Sequence, residues 1–294
     1  MHSAPSCPEA RKALSYASAT KNDFVMIDDP AGRGELNVAR VRELAGPAGT
    51  DGVIRAIRTR CLGDPSSKNL ENPPTWFMDY RNADGTIAQM CGNGVRAYAA
   101  FLVDRGYVEE RVFDVMTRAG VRTVEVLEEG PQWRVRVGMG PVTVEETKRI
   151  VRIGDQLVEG TDVNVGNPHT VVELPEALAL EDLDLSERPD LDPDPEHGTN
   201  IEFVETRGER HVAMRVFERG VGETLSCGTG ATAVAAALAA ARNDDTREPW
   251  RVDVRGGRLE IGWDAYGDMT LTGPAELGEL KAGSPANTRG KSEG

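Results

Sequence analysis

Two matched segments of the chain place a cysteine just before a stretch of small residues. The first reads MCGNGVRAYAAFL and contains Cys91, and the second reads SCGTGATAVAAAL and contains Cys227. Both follow the pattern Cys-Gly-x-Gly, and the small residues after it are typical of a buried helix. The exposed N–H groups and the dipole at a helix N-terminus favour negative charge. The pattern therefore predicts two thiols that ionise easily, each beside a ready site for a carboxylate.

A pair of such cysteines could invert a carbon stereocentre by proton transfer. A thiolate would remove a proton from one face of the carbon, and a thiol would return one to the opposite face. The N–H groups of Gly92, Asn93, Gly228 and Thr229 would bind the α-carboxylate and stabilise the charge that develops as the proton leaves. The chemistry needs no pyridoxal phosphate, flavin or metal, and no motif for one is visible, so we expect no cofactor and no metal.

Two other interpretations of the cysteines are less consistent with the pattern. They could pack as small apolar residues at helix starts, or they could form a redox pair. The redox interpretation lacks a C-x-x-C motif. Packing alone does not account for polar residues that match upstream, since Asn82 and Glu218 stand nine positions before Cys91 and Cys227 respectively (91 − 82 = 9 and 227 − 218 = 9). The matched copies favour acid–base chemistry.

The duplication predicts the architecture. Alternating runs such as DFVMID, QWRVRVGMG and WRVDVRGGRLEIGW indicate strands, and helices are predicted over residues 93–105 and 229–242. Residues 173–197, rich in Asp, Glu and Pro, are predicted to form a solvated loop around a short helix. We expect an α/β (α+β) protein of two pseudo-symmetric lobes, with the site at their junction receiving one cysteine from each.

Composition excludes several classes of function. The formal net charge of −14 and a pI near 4.9 argue against nucleic-acid binding. No apolar run is long enough to cross a bilayer, and the N-terminus has no apolar signal core. The four cysteines are too few for a disulfide framework, and the four histidines show no zinc-ligand spacing. These observations predict a cytoplasmic protein that binds neither nucleic acid nor membrane.

The motifs NDFV, YRNADG, MCGNGVRAYA, GNPHTVV, GTNIEFV and ERGVGETLSCGTGA occur in this order over residues 16–280. With these motifs in this order, the chain resembles the diaminopimelate epimerases, which interconvert LL- and meso-2,6-diaminopimelate on the route to lysine and peptidoglycan. Proline racemases and hydroxyproline epimerases also use two cysteines, but they typically carry His where Asn93 stands. Phenazine-pathway isomerases of the same fold lack the cysteine pair.

The resemblance implies a specific organisation. Each lobe would be a curved mixed sheet wrapped around a central helix, and the protein would be a homodimer. Independently of the resemblance, composition predicts that residues 1–15 are a flexible extension and residues 283–294 a disordered tail. The N-terminal lobe would span residues 16–137 with a returning strand at 273–282, and the C-terminal lobe would span residues 138–272.

The resemblance also implies roles for individual residues. Cys91 and Cys227 would be the two acid–base residues, with His169 and Glu218 beside them to tune proton transfer. The non-reacting end of a diamino-dicarboxylate substrate would be bound by a cation that pairs with its carboxylate and by amides that add no charge. The residues implied for this end are Asn22, Asn82, Asn167, Asn200 and Arg219.

Two departures from the family pattern bear on the substrate. Many members have His-Gly where this chain has Ser18 and Ala19, and many have Gln where Gly52 stands. An epimerase or racemase of the same superfamily that acts on another amino acid is therefore an alternative. A binding protein without turnover is another, although it would gain nothing from two intact cysteines.

Overall fold

The computed structural model describes residues 14–279. Within the predicted N-terminal extension, residues 1–13 lie outside the described residues, whereas residues 14 and 15 belong to the first strand. The predicted tail, residues 283–294, and residues 280–282 of the predicted returning strand also lie outside them. The described chain divides into two compact units, residues 14–133 with 275–279, and residues 134–274.

The first unit is a mixed sheet with three α-helices and a 3-10 helix, Pro65–Ser67, in its described residues. Its elements are β1 (Leu14–Ala19), β2 (Asn22–Asp28), α1 (Val38–Ala48), β3 (Gly52–Arg58), α2 (Thr59–Leu62), β4 (Trp76–Asn82), α3 (Gly92–Asp104), β5 (Val112–Thr117) and β6 (Gly120–Glu128). β2 and β3 are parallel and joined through α1, while β3 and β4 are antiparallel. The helix α3 then leads to β5, which runs parallel to β4 and forms a hairpin with β6.

The second unit repeats this order around one long helix. Its elements are β7 (Trp133–Gly140), β8 (Thr143–Ile153), β9 (Gln156–Asn164), β10 (Pro168–Glu173), β11 (Leu191–Asp192), β12 (Asn200–Gly208), β13 (His211–Glu218), β14 (Gly222–Thr224), α4 (Gly228–Ala241), β15 (Trp250–Val254), β16 (Gly257–Trp263) and β17 (Met269–Glu279). β12 and β13 form an antiparallel hairpin, α4 follows, and β15 runs parallel to β13 before pairing with β16. The end of β17, residues 275–279, belongs to the first unit, where it pairs with β1.

The helices that follow the two cysteines form the centre of each unit. Every residue of α3 from Gly92 to Leu102 is buried, and α4 is buried from Gly228 to Ala239 except for Thr229. A helix that is apolar on all sides is stable only when other elements surround it. The small side chains allow the strands to approach α4 closely. None of the helices within residues 14–279 combines the length and the hydropathy that a membrane span needs.

The acidic segment before β12 differs from its prediction. It contains a short 3-10 helix, Leu180–Asp182, and the two-residue strand β11. Five of its leucines are buried in one cluster with residues of β12 and β13, namely Leu174, Leu180, Leu183, Leu185 and Leu191. The short helix was predicted correctly. The prediction that the rest is a solvated loop was wrong, because the leucines are interspersed with exposed acidic residues and one side of the segment packs against the sheet.

Candidate active site

Cys91 occupies the N-cap position of α3. Its backbone is extended, with φ −143° and ψ 118°, and its sulfur accepts the Gly94 N–H at 3.4 Å. A serine or aspartate oxygen usually makes this bond. A sulfur in this position lies among the N–H groups that the first turn leaves without helical partners. The sequence prediction of a cysteine at this helix start is thus matched by the local geometry.

Amide side chains from two elements converge on Cys91. Asn22, the first residue of β2, places its Oδ1 atom 3.6 Å from the Cys91 sulfur, and the Asn93 side chain donates to the same oxygen at 3.4 Å. Thr20, in the tight turn before β2, donates to Asn93 Oδ1 at 3.2 Å. The resemblance implied that Asn22 binds the distal end of a substrate. In this structure its amide lies against the sulfur.

A buried cation that the sequence analysis did not identify lies one turn into α3. Arg96 is fully buried, and its guanidinium donates to the Gly92 carbonyl at 3.4 Å and to Thr20 Oγ1 at 3.0 Å. Burial lowers the pKa of Arg96 to about 10, and attraction to a negative charge on Cys91 offsets part of that fall. Arg96 and Cys91 are therefore close enough for their charges to interact. The sequence offered one signal for this residue, a difference between the two matched segments. Five positions after the cysteine, one segment has Arg96 and the other has Thr232.

Asn82 and Gly52 lie beside each other on β4 and β3. The Asn82 side chain donates to Thr86 Oγ1 at 3.0 Å, so it closes the turn that follows β4. A Cβ atom at Gly52 would lie 2.3 Å from the Arg81 carbonyl oxygen and 2.7 Å from Tyr80 Cε2. The neighbouring strand therefore leaves no space for the side chain that many family members carry at this position.

Cys227 is the N-cap of α4 and repeats the geometry of Cys91. Its sulfur accepts the Gly230 N–H at 3.4 Å and lies 3.4 Å from Thr229 Oγ1. Its side chain is more deeply enclosed, since Cys227 is 7% exposed and Cys91 is half-buried. The sequence analysis assigned the Thr229 backbone N–H to a substrate carboxylate, and the structure adds a contact of the Thr229 hydroxyl with the Cys227 sulfur.

A chain of hydrogen bonds connects Cys227 to a buried carboxylate. Thr229 Oγ1 accepts from the Asn167 side chain at 3.4 Å, and Asn167 Oδ1 lies 3.1 Å from His169 Nε2. The other ring nitrogen, His169 Nδ1, lies 2.7 Å from Glu202 Oε1. The sequence analysis selected Asn167, His169 and Thr229 but missed Glu202. A charged residue inside the apolar run IEFV was the available signal, because a lone buried carboxylate is unusual.

The remaining predicted residues lie at the start of β12 and at the end of β13. Asn200 donates to the Pro168 carbonyl at 3.1 Å and accepts the Arg219 backbone N–H at 2.9 Å, so it ties the start of β10 to the end of β13. The exposed Arg219 side chain donates to the His197 carbonyl at 2.9 Å. Glu218 accepts a hydrogen bond from Thr224. Asn200 therefore positions the chain around Arg219.

The electrostatics of Cys227 contradict the expectation for a helix N-terminus. Burial raises the pKa of the Cys227 thiol well above its usual range, and the charges of Glu218 and Glu202 raise it further. Hydrogen bonds from Thr229 and Gly230 act in the opposite direction but are outweighed. The prediction of two easily ionised thiols is wrong for Cys227, because desolvation and two carboxylates outweigh the helix terminus.

Two cavities lie in the second unit. The smaller, of about 120 Å³, is lined by His169, Pro168 and Thr199 together with residues of β8 and β9. The larger, of about 780 Å³, is an open cleft at the C-terminal end of α4, about 20 Å along the helix from Cys227. Within residues 14–279, no group of three or more His, Cys, Asp or Glu side chains could hold a metal ion.

Comparison with known proteins identifies the family. The family model described as diaminopimelate epimerase matches residues 15–145 and 161–278. The chain is 40% identical to a diaminopimelate epimerase of Streptomyces coelicolor over 91% of its own length and 93% of the relative's. It is 42% identical to one of Thermobifida fusca over 88% of this chain and 93% of that one.

Solved structures share the fold. A Bacillus anthracis phenazine biosynthesis protein of the PhzF family aligns with a TM-score of 0.66 and 16% identity, over 90% of this chain and 96% of that one. A hydroxyproline epimerase from Agrobacterium vitis aligns with a TM-score of 0.63 and 14% identity, over 92% of each chain. The predicted fold class is confirmed. With the family model and the close relatives in agreement over nearly the whole sequence, the chain belongs to the diaminopimelate epimerase family.

Proposed function

We propose that this protein interconverts LL-2,6-diaminopimelate and meso-2,6-diaminopimelate without a cofactor, using Cys91 and Cys227 as its acid–base pair. The observation that carries the proposal is the occurrence of two N-capping cysteines in matched Cys-Gly-x-Gly helix starts. These starts belong to a chain 40% identical to a curated diaminopimelate epimerase over 91% of its length.

The proposed reaction moves one proton off the α-carbon and another onto it. The thiolate of Cys91 takes the α-proton and becomes a thiol, and the electron pair passes into the α-carboxylate. The Cys227 thiol then gives its proton to the opposite face of the carbon and becomes a thiolate. Backbone N–H groups at Gly92, Asn93 and Gly228 are the proposed donors to the charged carboxylate. The reverse reaction exchanges the two roles, so each cycle conserves protons.

The different surroundings of the two cysteines support this assignment of roles. The charge of the buried Arg96 favours a thiolate at Cys91. Burial and the charges of Glu218 and Glu202 favour a thiol at Cys227. A pair that transfers protons in this way needs one member in each form at the start of the reaction, since two thiols lack a base and two thiolates lack an acid.

The proposal also assigns the residues that bind the non-reacting end of the substrate. We place Arg219 at the distal carboxylate, with Asn82, Asn167 and Asn200 contributing amide contacts or support, and His169 and Glu218 near the sulfurs. The exposed guanidinium of Arg219, on a loop held by Asn200, supports this assignment. A guanidinium can bind a carboxylate through two parallel hydrogen bonds.

Turnover in deuterated water tests the function directly. The reduced protein incubated with LL-diaminopimelate should form the meso isomer and incorporate deuterium at the α-carbon. Cys91→Ala and Cys227→Ala should each abolish net epimerisation, since either loss leaves the carbon without a proton donor or acceptor on one face. A folded, reduced wild-type protein that neither forms meso product nor exchanges the α-proton would refute the proposal.

Gly52 favours one alternative, an epimerase of the same superfamily with another amino-acid substrate. A side chain at this position has no space in the structure, so a distal contact from it is not available to this chain. A panel of L-amino acids tested for α-proton exchange separates the two candidates. Exchange confined to diaminopimelate would reject the alternative, and faster exchange of another amino acid would establish it.

We further propose that the enzyme is a cytoplasmic homodimer. None of the three cysteines within residues 14–279, Cys61, Cys91 and Cys227, forms a disulfide, which fits a reducing compartment. The dimer rests on the family resemblance. Sedimentation equilibrium under reducing conditions should give twice the chain mass of 31.8 kDa, and a monomer mass would reject the dimer.

A further inference from the structure

The two Cys-Gly-x-Gly helix starts have different neighbours at the second glycine. A Cβ atom at Gly94 would meet apolar side-chain ends, Met78 Cε at 3.1 Å and Ile54 Cδ1 at 3.3 Å. A Cβ atom at Gly230 would lie 2.6 Å from the carboxylate oxygen Oε1 of Glu202. The same sequence pattern thus faces an apolar surface in one unit and a carboxylate in the other.

Glu202 is an unusual residue for the interior of a strand. It lies on β12 with 0% of its surface exposed, and its Oε1 atom is 2.7 Å from His169 Nδ1. Its other oxygen, Oε2, is buried and has no hydrogen-bond partner among the described residues. Burying a carboxylate is unfavourable unless both of its oxygens are hydrogen-bonded. A buried carboxylate with only one bonded oxygen therefore needs a structural or functional explanation.

The register of the strands explains how Glu202 reaches His169. β10 and β12 are parallel, with His169 opposite Asn200 and Val171 opposite Glu202. Alternate residues of a strand share one face, so His169 and Glu202 are diagonal neighbours on the same face of the sheet. A carboxylate accepts hydrogen bonds only, which makes His169 Nδ1 the donor and fixes the plane of the imidazole.

The imidazole in turn begins the route to Cys227. His169 Nε2 lies 3.1 Å from Asn167 Oδ1, Asn167 donates to Thr229 Oγ1 at 3.4 Å, and Thr229 Oγ1 is 3.4 Å from the Cys227 sulfur. Asn167 Oδ1 is an acceptor, so its contact with His169 is a hydrogen bond when Nε2 carries a proton as well as Nδ1, as in an imidazolium paired with Glu202. The links then orient the polar groups as far as Thr229 Oγ1. Because Glu202 is the fully buried end of this chain, it cannot itself contact a substrate.

We propose that Glu202 is a positioning residue for the epimerisation proposed above: it holds the His169 imidazole and, through Asn167, the Thr229 hydroxyl that contacts the Cys227 sulfur. The buried negative charge of Glu202 also disfavours a thiolate at Cys227. The role is specific to one half of the molecule, since Met78 and Ile54 occupy the equivalent surroundings of Gly94. Other charged or titratable groups around Cys227 are Glu218, at the end of β13, and His169, on β10. Glu202 thereby makes two cysteines with the same local motif chemically different.

Alkylation of Cys227 tests this role without any substrate. Glu202→Gln keeps the shape and an acceptor for His169 but removes the charge. At a fixed pH between 8 and 9, we expect iodoacetamide to modify Cys227 faster in this variant, on the order of tenfold, as expected for one nearby charge. The site is quantified by peptide mass spectrometry. An alkylation rate equal to that of the wild type would overturn the proposal.

Glu209→Gln is the matched control. Glu209 lies in the turn after β12, seven residues beyond Glu202 and about 20 Å away along an extended strand, and its side chain is 89% exposed. This variant makes the same change in net charge and should leave the alkylation rate of Cys227 unchanged. A rise as large as that of Glu202→Gln would assign the effect to overall charge and reject a positioning role.

Nuclear magnetic resonance of the wild-type protein gives a second test that does not depend on a variant. With ¹⁵N-labelled histidine, His169 Nδ1 should be protonated, assigned by the loss of its signals in His169→Gln. A neutral ring protonated only at Nε2 would overturn the proposal, even if Glu202→Gln does not fold.

Kinetics then connect Glu202 to the reaction. In Glu202→Gln we expect kcat for diaminopimelate to fall about tenfold or more with KM changed little, because the residue acts through His169 rather than on the substrate. An unchanged kcat would count against the positioning role. If the wild type does not turn over diaminopimelate, the proposed function fails, whereas alkylation and tautomer data still decide whether Glu202 acts on Cys227.

Discussion

Replacing Gly230 with alanine, and comparing it with the same change at Gly94, uses the two helix starts as each other's control. Both glycines occupy the third position of a buried helix after an N-capping cysteine, and both donate their N–H to that cysteine. The added methyl group at Gly230 would lie 2.6 Å from Glu202 Oε1 and 3.2 Å from its Cγ and Cδ atoms. At Gly94 the closest atom is the flexible end of Met78, at 3.1 Å.

The expected changes in the free energy of unfolding depend on the contacts that each neighbouring side chain loses when it is displaced. Alanine gains about 1 kcal/mol over glycine in a helix, which offsets a small displacement of Met78, so Gly94→Ala should change the free energy of unfolding by less than about 1 kcal/mol. Glu202 is fully buried and bonded to His169, so moving it costs about 1 to 3 kcal/mol for overpacking and about 1.5 to 3 kcal/mol for the hydrogen bond. Gly230→Ala should therefore be destabilised by about 1.5 to 5 kcal/mol after the helix gain.

Urea unfolding at pH 7, followed by circular dichroism, measures both variants. The difference between the two midpoints is the quantity of interest, since it removes the shared effects of adding a methyl group to a helix start. If Gly94→Ala is destabilised as much as Gly230→Ala, the buried Glu202–His169 pair does not limit the space at Gly230. The reasoning from the Glu202 contact would then be wrong.

Three further predictions concern buried charge and protonation. Asp79 is fully buried among three arginines, and their hydrogen bonds and charges lower its pKa although burial alone would raise it. Asp79→Asn should lose about 3 to 5 kcal/mol at pH 7 in urea unfolding. The difference should begin to shrink as the pH falls through about 3.9, the pKa of the unfolded carboxyl, and should be lost only below the lowered pKa of folded Asp79; a difference that does not shrink as the pH falls below about 3.9 would contradict this. Cys227 keeps its proton in the folded state, so the wild type should lose stability as pH rises beyond about 8.5, the pKa of an unfolded cysteine, and should lose more than Cys227→Ala does. Equal losses between pH 7 and 9.5 would show that Cys227 is not the group responsible. Arg96→Met should slow iodoacetamide modification of Cys91 about tenfold at pH 7 in a peptide map, because it removes the cation that favours the thiolate; an unchanged rate in a folded variant would exclude that charge effect.

Local features of the candidate site could be predicted from the sequence because their causes lie within a few residues. A Cys-Gly-x-Gly pattern before small residues predicts a helix start, and the sulfur–N–H bond to Gly94 or Gly230 spans three positions. Both central helices begin within one residue of their predicted positions. The helix α1 was not predicted, because Pro47 and Gly46 in its last turn are weak helix formers and its stability comes from packing of Val41 and Leu44.

The charges around each cysteine could not be predicted in the same way. Glu202 stands 25 residues before Cys227 in the sequence, and only the parallel pairing of β10 with β12 places it against His169. The identical motif at Cys91 faces Met78 and Ile54 instead. A motif determines hydrogen bonds along its own backbone, whereas desolvation and coulombic interactions depend on which distant side chains the sheet brings to within a few ångströms. The protonation of the two cysteines is consequently a property of the folded units.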